Sequence, residues 1–220
     1  MPKIKLTFVS NSHVTPQIMS KVEESIEEQI LVAAFNVFVE KGFDNAKMQD
    51  IADRAGIKRT VLNYYFRSKD LLYQNIAKTI MRQALPQMLR ILNSDLPFEQ
   101  KVADFASEYI TVALKNPFLP LFIINELNSI GPAFIDKMLD GKRPDIDNFL
   151  KHVNEEMDKG NIIRMNPLHV PIHIISMCGF PIISKPMLML VTGISEKEYK
   201  ALMEDRKKEV VRMVMKGLKP

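Results

Sequence analysis

Between Gly56 and Asp70 the sequence reads GIKRTVLNYYFRSKD. Among its side chains, Lys58, Arg59, Thr60, Asn63, Tyr64 and Lys69 are of types that contact nucleic acid. Arginine can offer two parallel donors to guanine, asparagine a donor and an acceptor to adenine, and threonine or tyrosine can meet the methyl of thymine. The spacing predicts a helix over 58–65, held inward by Leu62 and Phe66. Lys58, Arg59, Thr60, Asn63 and Tyr64 then occupy its outward arc, where a helix-turn-helix protein reads base edges in the major groove. Lys69 stands in the first turn of the next helix, where its charge and free backbone N–H groups could hold one phosphate.

Charge supports that chemistry by its distribution. The whole chain carries +4, yet from Lys47 to Arg82 eight basic residues stand against three acidic ones, which leaves the remainder near neutral. A local basic patch on a balanced protein suits attraction to phosphate. No nucleophile–base arrangement, glycine-rich phosphate loop or paired-carboxylate pattern stands out, so the chain reads as a non-enzyme with no cofactor and no metal. His169 and His173, four residues apart, could share a metal ion, but no third ligand is near and a structural or pocket role is favoured. The single Cys178 excludes an intramolecular disulfide and reads as a small buried residue in a reducing interior. The opening MPKIKLTFVSNSH lacks the apolar core of a secretory signal, and VPIHIISMCGFPII is too short to span a bilayer. A soluble cytoplasmic protein with no membrane partner is the expectation.

The scaffold for the basic stretch is legible as helices. Thr15-Pro16 and Ser25 with Glu28 offer two starts for a first helix, which ends at Gly42. MQDIADRAG and KRTVLNYYF are two short helices meeting at Gly56, with Met48, Ile51, Ala52 and Ala55 matched to Ile57, Val61, Leu62 and Phe66. Ser68 caps a long helix over 69–92, with Leu71, Leu72, Ile76, Ile80 and Leu85 on its apolar side and Pro86 as a kink. The remaining segments are also helical. They start at Phe98, Asn116-Pro117, Gly131-Pro132, Asp145, Asn166-Pro167 and the Ser195–Glu198 capping box, the last ending near Gly217. The fold class is all-α. KIKLTFV alternates like a strand but has no partner, which leaves 1–15 as an extended arm.

Residues 27–72, EEQILVAAFNVFVEKGFDNAKMQDIADRAGIKRTVLNYYFRSKDLL, resemble the DNA-binding region of the TetR family of transcriptional regulators. The resemblance is carried by Ile30-Leu31, Ala33-Ala34, Phe38, Gly42-Phe43, Ile51-Ala52, Ala55-Gly56, Leu62, Tyr65-Phe66, Ser68-Lys69 and Leu71-Leu72. It implies a homodimer with a three-helix helix-turn-helix DNA-binding domain over 16–67 and a larger helical effector-binding and dimerisation domain over 68–220. It also implies that Gln49, Arg59 and Thr60 face bases of double-stranded operator DNA. Lys47, Tyr65 and Lys69 would face phosphates, and Tyr64 would pack at the groove. The chain departs from the family where threonines often open the second helix (Ala46, Lys47 here), where a serine cap often stands (Lys58), where a glycine is common (Thr60) and where a phosphate-touching tyrosine is common (Asn63).

In the larger domain Phe105, Tyr109, Phe118, Phe122, Met138, His173 and Met177 are candidates to line a pocket for a partly apolar small-molecule effector. Core packing is the competing reading for each aromatic and methionine. Helices over 145–159, 195–217 and 167–184 are candidates for the dimer surface. The reading is a ligand-responsive repressor; its rival is a helical small-molecule-binding or assembly protein that no longer reads DNA.

Overall fold

The computed structural model of the protein describes residues 25–220. The arm expected over 1–15 and the helix start expected near residue 16 lie outside them. Among the described residues there are eleven α-helices and no strand, which makes the fold all-α.

The first helix, α1 (Ile26–Asn45), opens on Ser25, whose hydroxyl accepts the backbone N–H of Glu28 at 3.2 Å. Ile30, Leu31, Ala34, Val37 and Phe38 recur on its buried face at helical spacing. Gly42 breaks the helix with φ +74° and ψ 164°. The positive φ is what a glycine stop supplies, but ψ is extended rather than left-handed, and the chain makes one further short turn. It then enters α2 (Met48–Arg54) and α3 (Arg59–Tyr65). These two meet at Gly56, φ +66°, where Ile57 N–H donates to Ala52 O at 3.1 Å. Ile51, Ala52 and Leu62 are fully buried where the short helices pack. Seven-residue helices do not persist alone, so this packing is what holds α3.

The long helix α4 (Lys69–Leu92) starts on Ser68, whose hydroxyl accepts Leu71 N–H at 3.2 Å. Its 24 residues span about 36 Å, and Pro86 falls inside it without ending it. Leu72, Ile76, Ala77, Ile80 and Met81 are buried, whereas Leu71, expected on the apolar side, is 44% exposed. Seven helices follow: α5 (Phe98–Lys115), α6 (Leu119–Ile130), α7 (Ala133–Leu139), α8 (Asp147–Asp158), α9 (His169–Ile183), α10 (Lys185–Thr192) and α11 (Glu196–Leu218). The separate α10 is not anticipated by the sequence reading, and it turns 68° from α9. Pro186 explains the break, because it has no N–H to continue the ladder from α9 but suits the first turn of a new helix. No single helix among the described residues is long and apolar enough to cross a membrane.

Two hydrophobic cores result. The first joins α1, α2, α3 and the N-terminal half of α4, and also takes in Leu119, Phe122, Phe134 and Met138 from α6 and α7. The second is built by α5, α8, α9 and α11 around Val102, Ile110, Phe149, Val153, Ile174 and Met203. α11 lies along both α5 and α9. Tyr199 Oη donates to Pro181 O at 3.1 Å and Arg206 Nε to Met177 O at 2.8 Å, tying α11 to α9. Helix α4 contributes buried side chains to both cores.

Candidate nucleic-acid interface and effector cavity

Helix α3 buries one side chain, Leu62, and Phe66 just after it. Everything else on the short helix is at least partly open. Thr60 and Asn63 are exposed, Tyr64 is 83% exposed and Tyr65 40% exposed. The two tyrosine rings meet edge-on at 5.4 Å. Arg59 is half-buried, and its Nε donates to Asn63 Oδ1 at 3.1 Å. One turn of helix separates the two, so the asparagine braces the guanidinium while both terminal nitrogens stay available for the paired contact that guanine requires. The sequence suggests Asn63 as a reader of adenine; the structure gives it a partner on its own helix.

Lys58 is the N-cap of α3 and supplies no side-chain cap, and Lys47 stands likewise at the start of α2. Asp50 compensates at α2 by accepting Lys47 N–H at 3.1 Å. The Lys41 ammonium at 2.9 Å, and then that N–H, hold the Asp50 carboxyl below its ordinary range. Arg54 donates to both Glu40 oxygens at 2.6 Å, which fastens α2 to α1. Gln49 Nε2 donates to Asp53 Oδ1 at 2.7 Å on the exposed side of α2. Lys47 and Lys58 are exposed with no ion-pair partner among the described residues. The same holds for Arg67 between α3 and α4, which counts in the basic stretch but is not among the contact residues expected from sequence. Its signal was available: a basic residue in the loop that leads out of the recognition helix.

Lys69 is placed differently from its two exposed neighbours. Its Nζ donates to Phe43 O at 2.6 Å and Asp44 O at 3.2 Å, and it lies 4.3 Å above the Phe43 ring. The ammonium therefore satisfies the carbonyls left open where α1 breaks at Gly42, and it pins the start of α4 to that loop. Lys69→Met is expected to lower stability by about 1.5–3 kcal/mol, the scale of a charged hydrogen bond. It should leave the salt dependence of DNA binding unchanged. Urea denaturation and a salt series check the two halves of that expectation separately.

Behind the helix-turn-helix lies a cavity of about 370 Å³ bounded by both cores. One face of α4 forms its long wall, with Met81, Ala84, Leu85, Met88, Leu89 and Leu92 at successive helical spacings. Phe105 and Tyr109 from α5, Ile123 and Leu127 from α6, Phe134 and Leu139 from α7, and Ile175 from α9 line the rest, with the Tyr109 phenol as a rare polar group. Burial pushes that phenol up to about 12, with Cys178 a lesser cause. A Cβ on Gly179 would lie 2.8 Å from the Tyr109 hydroxyl, so the glycine on α9 makes the room the phenol occupies.

Of the pocket candidates, Phe105 and Tyr109 reach this wall. Phe118 and Phe122 instead pack against Tyr73 at the first core, the first ring tilted and the second edge-on, and Met138 is buried there too. His173 is exposed beside His169, ring to ring at 6.0 Å, and Met177 packs against the second core. Among the described residues no group of three His, Cys, Asp or Glu side chains could hold a metal ion. Cys178 is fully buried, and burial raises its thiol to about 12.

Two short helices packed across a glycine turn, with the second baring its polar face beside unpaired cations, define a helix-turn-helix protein. Residues 30–76 match the family model described as bacterial regulatory proteins, tetR family. Over 207 residues the chain is 26% identical to the HTH-type transcriptional regulator RutR of Escherichia coli (strain K12), covering 91% of this chain and 94% of RutR. A solved transcriptional regulator of the TetR/AcrR family from Thermobifida fusca shares the fold with a TM-score of 0.58 at 17% identity, over 90% of this chain and 100% of that one. FadR from Bacillus subtilis, solved in complex with stearoyl-CoA, gives 0.55 at 18% identity, over 86% and 98%. The chain is thus similar to TetR-family transcriptional regulators, through residues 30–76 by the family model and along most of its length by its likeness to RutR.

Proposed function

We propose that the protein is a ligand-responsive repressor that binds operator DNA as a homodimer in the cytoplasm and is released by a small, largely apolar effector. The observation that carries this reading is α4: its first turn follows the recognition helix, and its second half forms one wall of an apolar cavity. Arg59 and Thr60 on α3, with Gln49 on α2, would face bases. Lys47, Lys58, Tyr65 and Arg67 would meet phosphates, and Tyr64 would enter the groove. Two copies would set their α3 helices about 34 Å apart, one turn of DNA.

The dimer surface in this reading is α9 with α11. Ile172, Ile175 and Phe180 on α9 and Leu202 and Met213 on α11 are large, apolar and exposed, as self-association requires. The apolar face of α8, Phe149, Val153 and Met157, is by contrast fully used in the core. An effector in the cavity would press on α4 and favour a different separation of the two recognition helices. Such coupling is reciprocal: effector weakens DNA binding and DNA weakens effector binding. That FadR was solved with stearoyl-CoA is in keeping with an apolar effector, though the chemistry of this cavity is set by its own lining.

Nile red, neutral and lipophilic, tests the cavity. Leu85→Glu sets a carboxylate into the apolar wall and is expected to weaken Nile red binding at least ~10-fold, the factor that ~1.4 kcal/mol of lost affinity gives, while DNA affinity stays close to wild type. Equal dye binding by both proteins would remove the cavity from the account.

A further inference from the structure

A second hollow, of about 360 Å³, lies at the far end of α4. Leu92 and Ile146 line the apolar cavity, whereas the next residue, Asn93, lines this one, so the two spaces adjoin the same chain crossing. Its character is opposite. Around it stand Asn93 and Asp95 after α4, Lys101 on α5, and Lys151, His152 and Glu155 on α8.

Two of these groups are buried without partners. Lys101 is only 3% exposed, yet no ion pair or hydrogen bond reaches its ammonium among the described residues. Asp95 and Glu155 act on it from a distance, and its burial outweighs them, which lowers its pKa. Asn93 Nδ2 donates to Asp145 O at 2.9 Å, which fixes the amide, and its Oδ1 is left buried with no donor. Burial first, and then the Lys101 charge, lower the His152 imidazole below its ordinary range, while Glu156 at 3.8 Å pulls the other way. An ammonium without a contacting counter-ion at a hollow, beside a buried acceptor without a donor, is a pair of groups that a ligand of complementary charge and polarity satisfies.

The charges select that ligand. Lys101 and Lys151 ask for a carboxylate, though Lys151 already has Glu155 at 3.9 Å. Asn93 Oδ1, Asp95 and Glu155 ask for a donor, preferably cationic, and the two carboxylates oppose a polyanion such as a phosphate ester. We infer that this hollow is a binding site for a small zwitterion of the amino-acid class, its carboxylate on Lys101 and its ammonium toward Asn93 Oδ1, Asp95 and Glu155. The site is separate from the apolar cavity and from the DNA-facing helix, so it stands whatever either of those binds.

Calorimetric titration of the full chain with each of the twenty standard amino acids tests it, alongside acetate, methylammonium and inorganic phosphate as partial ligands. At least one amino acid should bind saturably and at least ~10-fold more tightly than any partial ligand, a step of ~1.4 kcal/mol. Lys101→Met keeps the buried stem, removes the unpaired charge and should melt no lower than wild type, yet bind that amino acid ~10-fold or more weakly. The inference is overturned if no amino acid binds, if acetate or phosphate matches the best of them, or if folded Lys101→Met binds as wild type does. The partial-ligand comparison uses the wild-type protein alone, so it decides even if the variant does not fold.

Discussion

Leu62→Ala is expected to destabilise the protein by about 2–5 kcal/mol, the cost of deleting most of a fully buried leucine where the surroundings cannot collapse. Leu62 is the single buried residue of α3 and is 0% exposed. Around it α1, α2 and the start of α4 are already fixed by Ile51, Ala52 and Leu72, all of them fully buried, so little is free to fill the space. A seven-residue helix without this anchor has no means of persisting. DNA affinity should therefore fall further than global stability alone implies. Urea denaturation followed by far-UV circular dichroism gives the first quantity and fluorescence anisotropy on DNA the second. A loss below 1 kcal/mol would mean that α3 is held by something other than this contact.

Arg59→Ala is expected to cost about 1–3 kcal/mol of discrimination between the preferred operator and single-base variants at one position, roughly 5- to 150-fold in relative affinity. The expectation rests on the bond from Arg59 Nε to Asn63 Oδ1, which orients the guanidinium and leaves its outer edge open. Arg59→Lys should not restore the preference, because an ammonium has no planar fork to match guanine. Asn63→Ala should weaken the same preference in part, by freeing the arginine. If Arg59→Ala lowered affinity for all sequences equally, the residue would be a phosphate contact instead. Competition binding against a set of single-base operator variants separates the two outcomes.

The helix-turn-helix was legible because its signals are local. Ser25, Gly56 and Ser68 mark starts and stops that the structure places within a residue or so, Gly42 marks the break inside α1 rather than its last residue, and the apolar spacing around Leu62 identifies the inward face. What was not legible depends on contacts between distant segments. Lys69 looks like a free cation at a helix start, yet the open carbonyls of Phe43 and Asp44 lie beside it only once α1 has broken at Gly42. Phe118, Phe122 and Met138 look like pocket residues because they are apolar. They enter the first core because α6 and α7 fold back onto it. The cavity wall from Met81 to Leu92 continues the same helical stripe that is buried earlier in α4, and nothing in periodicity marks where burial gives way to a cavity. Lys101, too, carries no local mark of its burial; only the crossing of α5 with α8 and the end of α4 closes over its stem.

The central claim, that α3 and the unpaired cations around it bind DNA, is tested most directly by the affinity of the wild-type protein for its own upstream DNA across a salt series. With Lys47, Lys58 and Arg67 of each of two copies meeting phosphates, log affinity should fall against log salt with a slope of about −5. Binding should also be tighter than to scrambled DNA at every salt concentration. A flat salt dependence, or equal affinity for both DNAs, would contradict it.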